Sequence, residues 1–349
     1  MADRPNGDVH LSRRTVLGGG IAMLVAGTTP AIGALATRRA PIDVHHHFLP
    51  PFYKPLVEGW YRSVRAAVAP AMAWTPEDMI ANLDAAGGVR ALLSISAPAT
   101  TVVDGPQSLE LARRCNDYAA ELASRRPRQL GFFVTLPMPD VTASIAEIER
   151  SLPLRGAVGV GLLTSYGGRY LGDPAFEPLM AYLEQRRLIA FVHPTTGPCC
   201  AGLPTFIGAP LIEFPNDTAR AIGNLLWSGS LARYPGSRWV FSHGGGATAM
   251  LTERLQLQGA AYADAESRVP GGVDARLRRL YVDTASVTRT AAIAAVRAQF
   301  GDDHVMFGTD SPWGAVAQSL GHLERLGLAP QARESILCDN AQGLFGSFN

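Results

Sequence analysis

Five residues of metal-ligating type stand at or just past the ends of short apolar runs. One run enters Asp43-Val44-His45-His46-His47, and a second ends Phe191-Val192-His193-Pro194. A third ends Phe241-Ser242-His243-Gly244-Gly245-Gly246, and a fourth Phe307-Gly308-Thr309-Asp310-Ser311-Pro312. Strand side chains alternate between faces, so His45 and His47 share one side and His46 takes the other. Three imidazoles and one carboxylate drawn from this set suit Zn²⁺ and are acceptable to Mn²⁺ or Fe²⁺. A lone histidine at a strand end is ordinarily structural. A His-x-His pair joined by two more histidines and an aspartate in equivalent positions points to a site. His10 falls in the N-terminal leader, and His304 and His322 lack such placement.

A divalent ion held there supports two chemistries. As a Lewis acid it would hold a substrate carboxylate with a neighbouring hydroxyl or carbonyl oxygen. Asp310 would then protonate the ring carbon bearing that carboxylate, and CO₂ would leave. Alternatively it would activate water, with His243 as a base of the right type near neutral pH. The first chemistry suits a hydroxybenzoate. The second suits a muconate-like acid or a hydrolysable amide or lactone.

These residues must be positioned by repeated elements. Apolar runs at 41–45, 90–96, 131–136, 157–162, 188–193, 239–243, 280–283 and 305–309 are continuous rather than alternating, as expected of strands buried on both faces. Helix-like segments separate them, at 75–86, 108–125, 141–151, 173–187, 216–234 and 288–300. Thr75-Pro76 and Asp173-Pro174 combine a capping residue with proline at the first helical position. In the stretch Glu213-Phe214-Pro215-Asn216-Asp217, a helix entry is expected with Asn216 or Asp217 near the cap. The pattern implies an α/β fold, a (β/α)₈ TIM barrel in a single domain over residues 40–349, with active-site residues at the C-terminal strand ends. A doubly wound dinucleotide fold lacks its GxGxxG fingerprint.

Composition narrows the function classes. The 349 residues carry 31 basic and 30 acidic side chains, a net charge of +1, which leaves no overall electrostatic footprint for nucleic acid. Apolar residues at 47% allow a sizeable core. Cys115, Cys199, Cys200 and Cys338 form neither a disulfide framework nor a CxxC motif. Ser12-Arg13-Arg14-Thr15-Val16-Leu17 places a twin-arginine pair before a weakly apolar run interrupted by glycines and Pro30. That run suits a bacterial Tat signal over residues 1–36, with cleavage after Ala36 and export to the periplasm or outside. Without a functional leader the protein would stay in the cytoplasm. The mature chain has no run long enough for a membrane span.

The motifs also resemble a known family. Asp43-Val44-His45-His46-His47-Phe48-Leu49-Pro50, Leu171-Gly172-Asp173-Pro174, Val192-His193-Pro194-Thr195, Ser242-His243-Gly244-Gly245-Gly246 and Gly308-Thr309-Asp310-Ser311-Pro312 follow the order seen in the amidohydrolase superfamily. Residues 159–166 and 212–218 continue the series. Within the superfamily the chain is similar to the amidohydrolase-related decarboxylases, which include enzymes acting on aminocarboxymuconate semialdehyde, γ-resorcylate and 6-methylsalicylate. The resemblance implies that His45, His47, His193 and Asp310 hold one divalent metal, Zn²⁺ first and Mn²⁺ second, with no organic cofactor. It places His243 beside the metal as a base or polarising group. It also implies a homodimer in which Arg254 reaches a neighbouring subunit's small carboxylic-acid substrate. The two-metal members bridge their ions through a carbamylated lysine at the end of the fourth strand. Here that position falls in Leu162-Leu163-Thr164, and the sole lysine is Lys54.

Substrate contacts are expected from Phe48, Tyr166, Arg169 and Trp313. The implied activity is a non-oxidative, metal-dependent decarboxylase of a small aromatic or unsaturated carboxylic acid. The alternatives are a mononuclear hydrolase of an amide, lactone or C–C bond, and a non-catalytic exported binding barrel.

Overall fold

Continuous Val, Ile, Leu and Phe runs need cover on both faces, and the chain supplies it with helices outside a curled parallel sheet. The computed structural model describes residues 39–200 and 206–346. The twin-arginine segment and the cleavage position expected after Ala36 lie outside the described residues. The strands are β1 (Ile42–His47), β2 (Arg90–Ser94), β3 (Leu130–Thr135) and β4 (Ala157–Leu163), then a short antiparallel hairpin of β5 (Ser165–Tyr166) and β6 (Arg169–Tyr170). β7 (Ile189–His193), β8 (Arg238–Phe241), β9 (Tyr281–Asp283) and β10 (Val305–Met306) follow. Eight of them form one parallel sheet in the order β1-β2-β3-β4-β7-β8-β9-β10.

Hydrogen bonds bring the two edges of that sheet together. Val44 N donates to Phe307 O at 2.9 Å, Asp310 N to His45 O at 2.9 Å, and His47 N to Ser311 O at 2.7 Å. The result is a nearly closed eight-stranded TIM barrel, as the alternating pattern predicts. It belongs to one compact unit beginning at Arg39. The strands end slightly differently from the sequence reading: β1 runs on to His47, β8 stops at Phe241 and β10 at Met306. His243 and Asp310 therefore sit on loops just past their strands.

The helices pack through one apolar stripe each. In the helix Pro106–Arg125 the stripe is Leu111, Cys115, Ala119 and Leu122, three or four residues apart. Thr75 caps the helix Pro76–Ala85 by accepting from Asp78 N at 3.1 Å. One boundary needs correction. The helix expected from residue 216 begins much earlier, as Ala209–Trp227, with Gly208 at its N-cap and Pro215 inside it. Pro210, in the first turn, is pre-set for helix and needs no N–H partner there. Further on, Pro215 O accepts from Ala247 N at 3.0 Å. Asn216 and Asp217 are thus interior residues, not caps. Asp217 is buried and accepts from the hydroxyls of Thr164 and Tyr170, tying this helix to the loop after β4 and to β6.

The two ends of the barrel differ. Toward the strand starts, Ile42, Val44, Leu92, Phe133, Phe191, Val240 and Met306 fill the interior, and Ala341 and Leu344 of the C-terminal helix Asn340–Phe345 pack into the same cluster. Phe133 stacks on Phe191 at 4.9 Å, and Phe345 meets Phe133 edge-on at 5.8 Å. Burying each such side chain contributes roughly 1.5–3 kcal/mol. The opposite end, where the strands finish, is left to polar groups. Among the described residues, no helix is long and apolar enough to cross a membrane.

Candidate active site

Alternation along β1 points His45 and His47 to the same side, and their Nε2 atoms stand 3.0 Å apart despite a register shift between Asp43 and His46. Asp310 Oδ1 lies 3.3 Å from His45 Nε2 and 3.1 Å from His47 Nε2. The His193 ring, at the end of β7, is 5.3 Å from that of His45 and 4.8 Å from that of His47. Ligand atoms of these four residues all fall within 4.8 Å of one another. His46 points the other way and bonds Asp43 through Nδ1 at 2.8 Å.

The protonation pattern of these rings tests whether a metal fits. His45 Nδ1 faces Asp283 Oδ2 at 2.9 Å, and His193 Nδ1 faces Pro194 O at 2.8 Å. His47 Nδ1 lies 3.0 Å from Ser94 Oγ and 3.3 Å from Ser94 O. Carbonyl and carboxylate oxygens accept, so Nδ1 carries the hydrogen and Nε2 keeps its lone pair. Neutral rings would then aim lone pairs at each other across 3.0 Å, an arrangement that calls for a cation. Three such nitrogens and a carboxylate oxygen fit one divalent ion.

The charges agree. Burial opposes charge on His45, but Asp283 and Asp310 outweigh it and push its pKa up to about 10. Burial lowers the pKa of His47, and lowers that of His193 well below the usual histidine range with help from its histidine neighbours. Burial would raise that of Asp310, yet His45 and the bonds from His45 and His47 hold it well below the usual carboxylate range. The shifts of His45 and Asp310 have one cause, a buried carboxylate environment that favours positive charge at this point.

His243 is next to this cluster. Its ring lies 4.9 Å from that of His45, its Nε2 is 4.0 Å from Asp310 Oδ2, and its backbone N–H donates to Asp283 Oδ1 at 2.9 Å. Burial lowers its pKa, favouring the neutral ring. Both His243 (φ 55°) and Asp310 (φ 62°) occupy left-handed backbone, which aspartate and histidine tolerate better than most residues and which is found often at functional sites. Glycine is required around them. A Cβ on Gly246 would sit 2.2 Å from Pro215 O, and one on Gly308 2.8 Å from Asp283 Cβ and 3.0 Å from His45 Cβ.

A cavity of about 820 Å³ opens onto His193, His243 and Asp310. Trp313, Phe214 and Val287 line its wall, and Arg65 contributes a cationic side chain. Trp313 is held by its indole N–H donating to Ala67 O at 2.8 Å, and its ring meets His47 edge-on at 5.5 Å. The other substrate candidates lie elsewhere. Phe48 is fully buried in the helix-facing core, parallel to Tyr118 at 6.3 Å, because alternation after His47 turns it out of the barrel. Tyr166 is buried in the hairpin, where its hydroxyl accepts from Leu163 N at 2.6 Å. Arg169 is exposed on β6, and Arg254 is exposed on the helix Thr248–Gly259. Neither Phe48, Tyr166, Arg169 nor Arg254 belongs to the cavity wall.

Sequence reading missed Asp283, whose carboxylate orients both His45 and His243. It ends a strand just as the ligands do, so the same rule was capable of finding it. The cavity residues Trp60, Arg65 and Phe214 come from helices or the turns beside them, with no signal to separate them from packing residues. Lys54 donates to the carbonyls of Met72 and Trp74, while Leu163 and Thr164 occupy the end of β4.

An amidohydrolase family model matches residues 42–347. The 6-methylsalicylic acid decarboxylase of Penicillium expansum is 32% identical over 327 residues, covering 88% of this chain and 96% of its own. The gamma-resorcylate decarboxylase of Rhodococcus jostii (strain RHA1) is 27% identical, over 73% of this chain and 82% of its own. A dihydroxybenzoic acid decarboxylase from Polaromonas sp. JS666, solved with manganese and the inhibitor 2-nitroresorcinol, shares the fold with a TM-score of 0.77. It is 22% identical and covers 88% of this chain and 96% of its own.

Proposed function

The chain belongs to the amidohydrolase family, and on that premise we propose that it is a metal-dependent, non-oxidative decarboxylase of a hydroxy-substituted aromatic carboxylic acid. The observation that carries this reading is the position of Asp310. One of its oxygens lies beside His45 and His47, and the residue borders both His243 and the largely apolar cavity. The names of the relatives, decarboxylases of 6-methylsalicylic acid and of gamma-resorcylate, support the same reading.

His45, His47, His193 and Asp310 would hold one divalent ion, and that ion would supply Lewis-acid stabilisation of the substrate's carboxylate and adjacent oxygen. Trp313 and Phe214 offer aromatic surface against the ring. Asp310 is ionised at rest, so it takes the proton of the substrate's hydroxyl group and delivers it to the ring carbon bearing the carboxylate. The bond to the carboxylate carbon then breaks, its electron pair restores the aromatic ring, and CO₂ leaves. His243 returns a proton from solvent to the product oxygen, so each turnover consumes one proton. The donor set accommodates Zn²⁺ or Mn²⁺.

The test is incubation of the enzyme with 6-methylsalicylate and 2,6-dihydroxybenzoate, with Zn²⁺ or Mn²⁺ added in turn, while CO₂ and the phenolic product are measured. Turnover of amides or lactones without CO₂ release from any acid would replace this reading with the hydrolase.

The reading extends to assembly and location. Leu211 and Ile212 on one helix and Met250, Leu251 and Leu257 on another leave apolar surface exposed beside Arg254, which favours a homodimer through this face. Export by the twin-arginine route follows from Arg13 and Arg14, and retention of an Arg13→Lys/Arg14→Lys chain in the cytoplasm is the outcome that supports it.

A further inference from the structure

A second cavity, of about 430 Å³, lies at the opposite end of the barrel, against the beginnings of β8, β9 and β10. Its wall carries five arginines: Arg187, Arg238, Arg276, Arg278 and Arg279. With a net charge of +1 for the whole chain, this is a local concentration and not the expression of a basic protein. Like charges gathered round one concavity repel unless something negative offsets them. Among the described residues, no carboxylate forms an ion pair with any of the five. The nearby acids are largely engaged elsewhere. Asp303 bonds His304 Nδ1 at 2.8 Å and lies within the electrostatic reach of Arg278 alone among the five, and Glu184 accepts from the backbone N–H groups of Gly236 and Ser237 at 2.6 and 2.9 Å.

Three of the five guanidinium groups are also held in place. Arg276 donates to Pro270 O at 2.9 and 2.7 Å, Arg278 to Ala298 O at 3.3 Å, and Arg279 to Pro235 O at 2.6 Å. These bonds orient the groups without neutralising them, and each retains further N–H donors. Trp239 belongs to the same wall and is only 3% exposed, and its indole N–H, like that of Trp74, has no hydrogen-bond partner within the protein. A donor left so beside a basic pocket is one that a bound anion or its water could satisfy.

We propose that this pocket binds a phosphoryl anion of two or more charges. Planar guanidinium forks match phosphate oxygens two at a time, and several arginines are used where a polyanion rather than a single carboxylate is recognised. The volume exceeds what one inorganic phosphate needs and lies within the range of small-molecule sites. The site is separate from the catalytic end: β8 carries Arg238 at its start and leads to His243 beyond its finish.

Isothermal titration of the full, metal-loaded protein with pyrophosphate and with tripolyphosphate tests this, with tryptophan emission as a second readout. Saturable binding at one site is expected, weakened about tenfold or more in Arg238→Ala/Arg279→Ala and lost progressively with salt. Arg238→Lys/Arg279→Lys keeps the charge but not the forks and is expected to fall between the two. The emission change should disappear in Trp239→Phe. Co-sedimentation with phosphatidylcholine vesicles containing phosphatidylinositol bisphosphate distinguishes a lipid headgroup from a free anion as the source. The proposal is overturned if neither probe saturates. It is equally overturned if binding persists in a correctly folded double alanine variant, or if a hydroxybenzoate in the metal site displaces the anion.

Discussion

The carboxylate of Asp283 accepts a hydrogen bond from Nδ1 of His45 at 2.9 Å, with both side chains fully buried. Its other oxygen takes the backbone N–H of His243. One residue therefore sets the ring orientation of a proposed ligand and the loop geometry of a proposed base. Asp283→Ala should lower metal affinity by about 10–100-fold. Competition against a graded chelator measures this, and parental affinity in the variant would remove the orienting role.

His243 lies outside the four-residue cluster, so its loss should leave the metal in place. His243→Asn is expected to reduce kcat by about 100–10,000-fold with unchanged metal content. Steady-state CO₂ release paired with elemental analysis makes the comparison. A variant that loses both together would instead make His243 a ligand.

Arg254 is not part of the cavity wall of its own chain, although Met250, one turn earlier on the same helix, is, and it stands among exposed apolar residues. If it acts across a dimer, Arg254→Ala and His243→Asn should each be inactive alone and regain activity when co-expressed, because one shared site then holds both intact residues. An Arg254→Ala enzyme as active as the parent would end the idea, and sedimentation velocity checks the dimer itself.

Glu147 offers a pH-dependent stability effect far from the metal. It is buried and accepts from Asn116 and Ser151 at 2.7 Å and from Arg150 at 2.8 and 2.9 Å, joining two helices at the edge of β3. Burial alone would raise its pKa, but the bonds from Arg150, Asn116 and Ser151 hold it below its ordinary 4.5. A depressed folded-state pKa means that the unfolded chain binds more protons. The stabilisation is therefore full above about pH 4.5 and fades as pH falls through the lower folded value. Glu147→Gln should cost about 2–3 kcal/mol at pH 7 and progressively less in acid. Thermal melts of both proteins across that range decide it. An equal difference at every pH would show that the charge is irrelevant.

Much of the site was legible because parallel strands buried on both faces read as unbroken apolar runs, so a polar residue that ends one stands out. His193 and Asp283 are of that kind, and only the first was singled out. His45 and His47 were legible from alternation alone. The same alternation places Phe48 away from the cavity: one step beyond His47 the chain turns outward into the core. Cavity residues from helices gave no such sign. Phe214 lies one residue before a proline that reads as a boundary, yet the helix passes straight through it. Trp313, singled out because it follows Asp310 so closely, lines the cavity, whereas the hydroxyl of Tyr166 is taken by a neighbouring backbone N–H.

The packing of Ala341, Leu344 and Phe345 into the strand-start end of the barrel makes the last stretch of chain a stopper for the first strand. Ile42 and Val44 are synthesised some three hundred residues before the side chains that cover them. Without the helix Asn340–Phe345, the apolar interior at the base of the barrel would stand open to water.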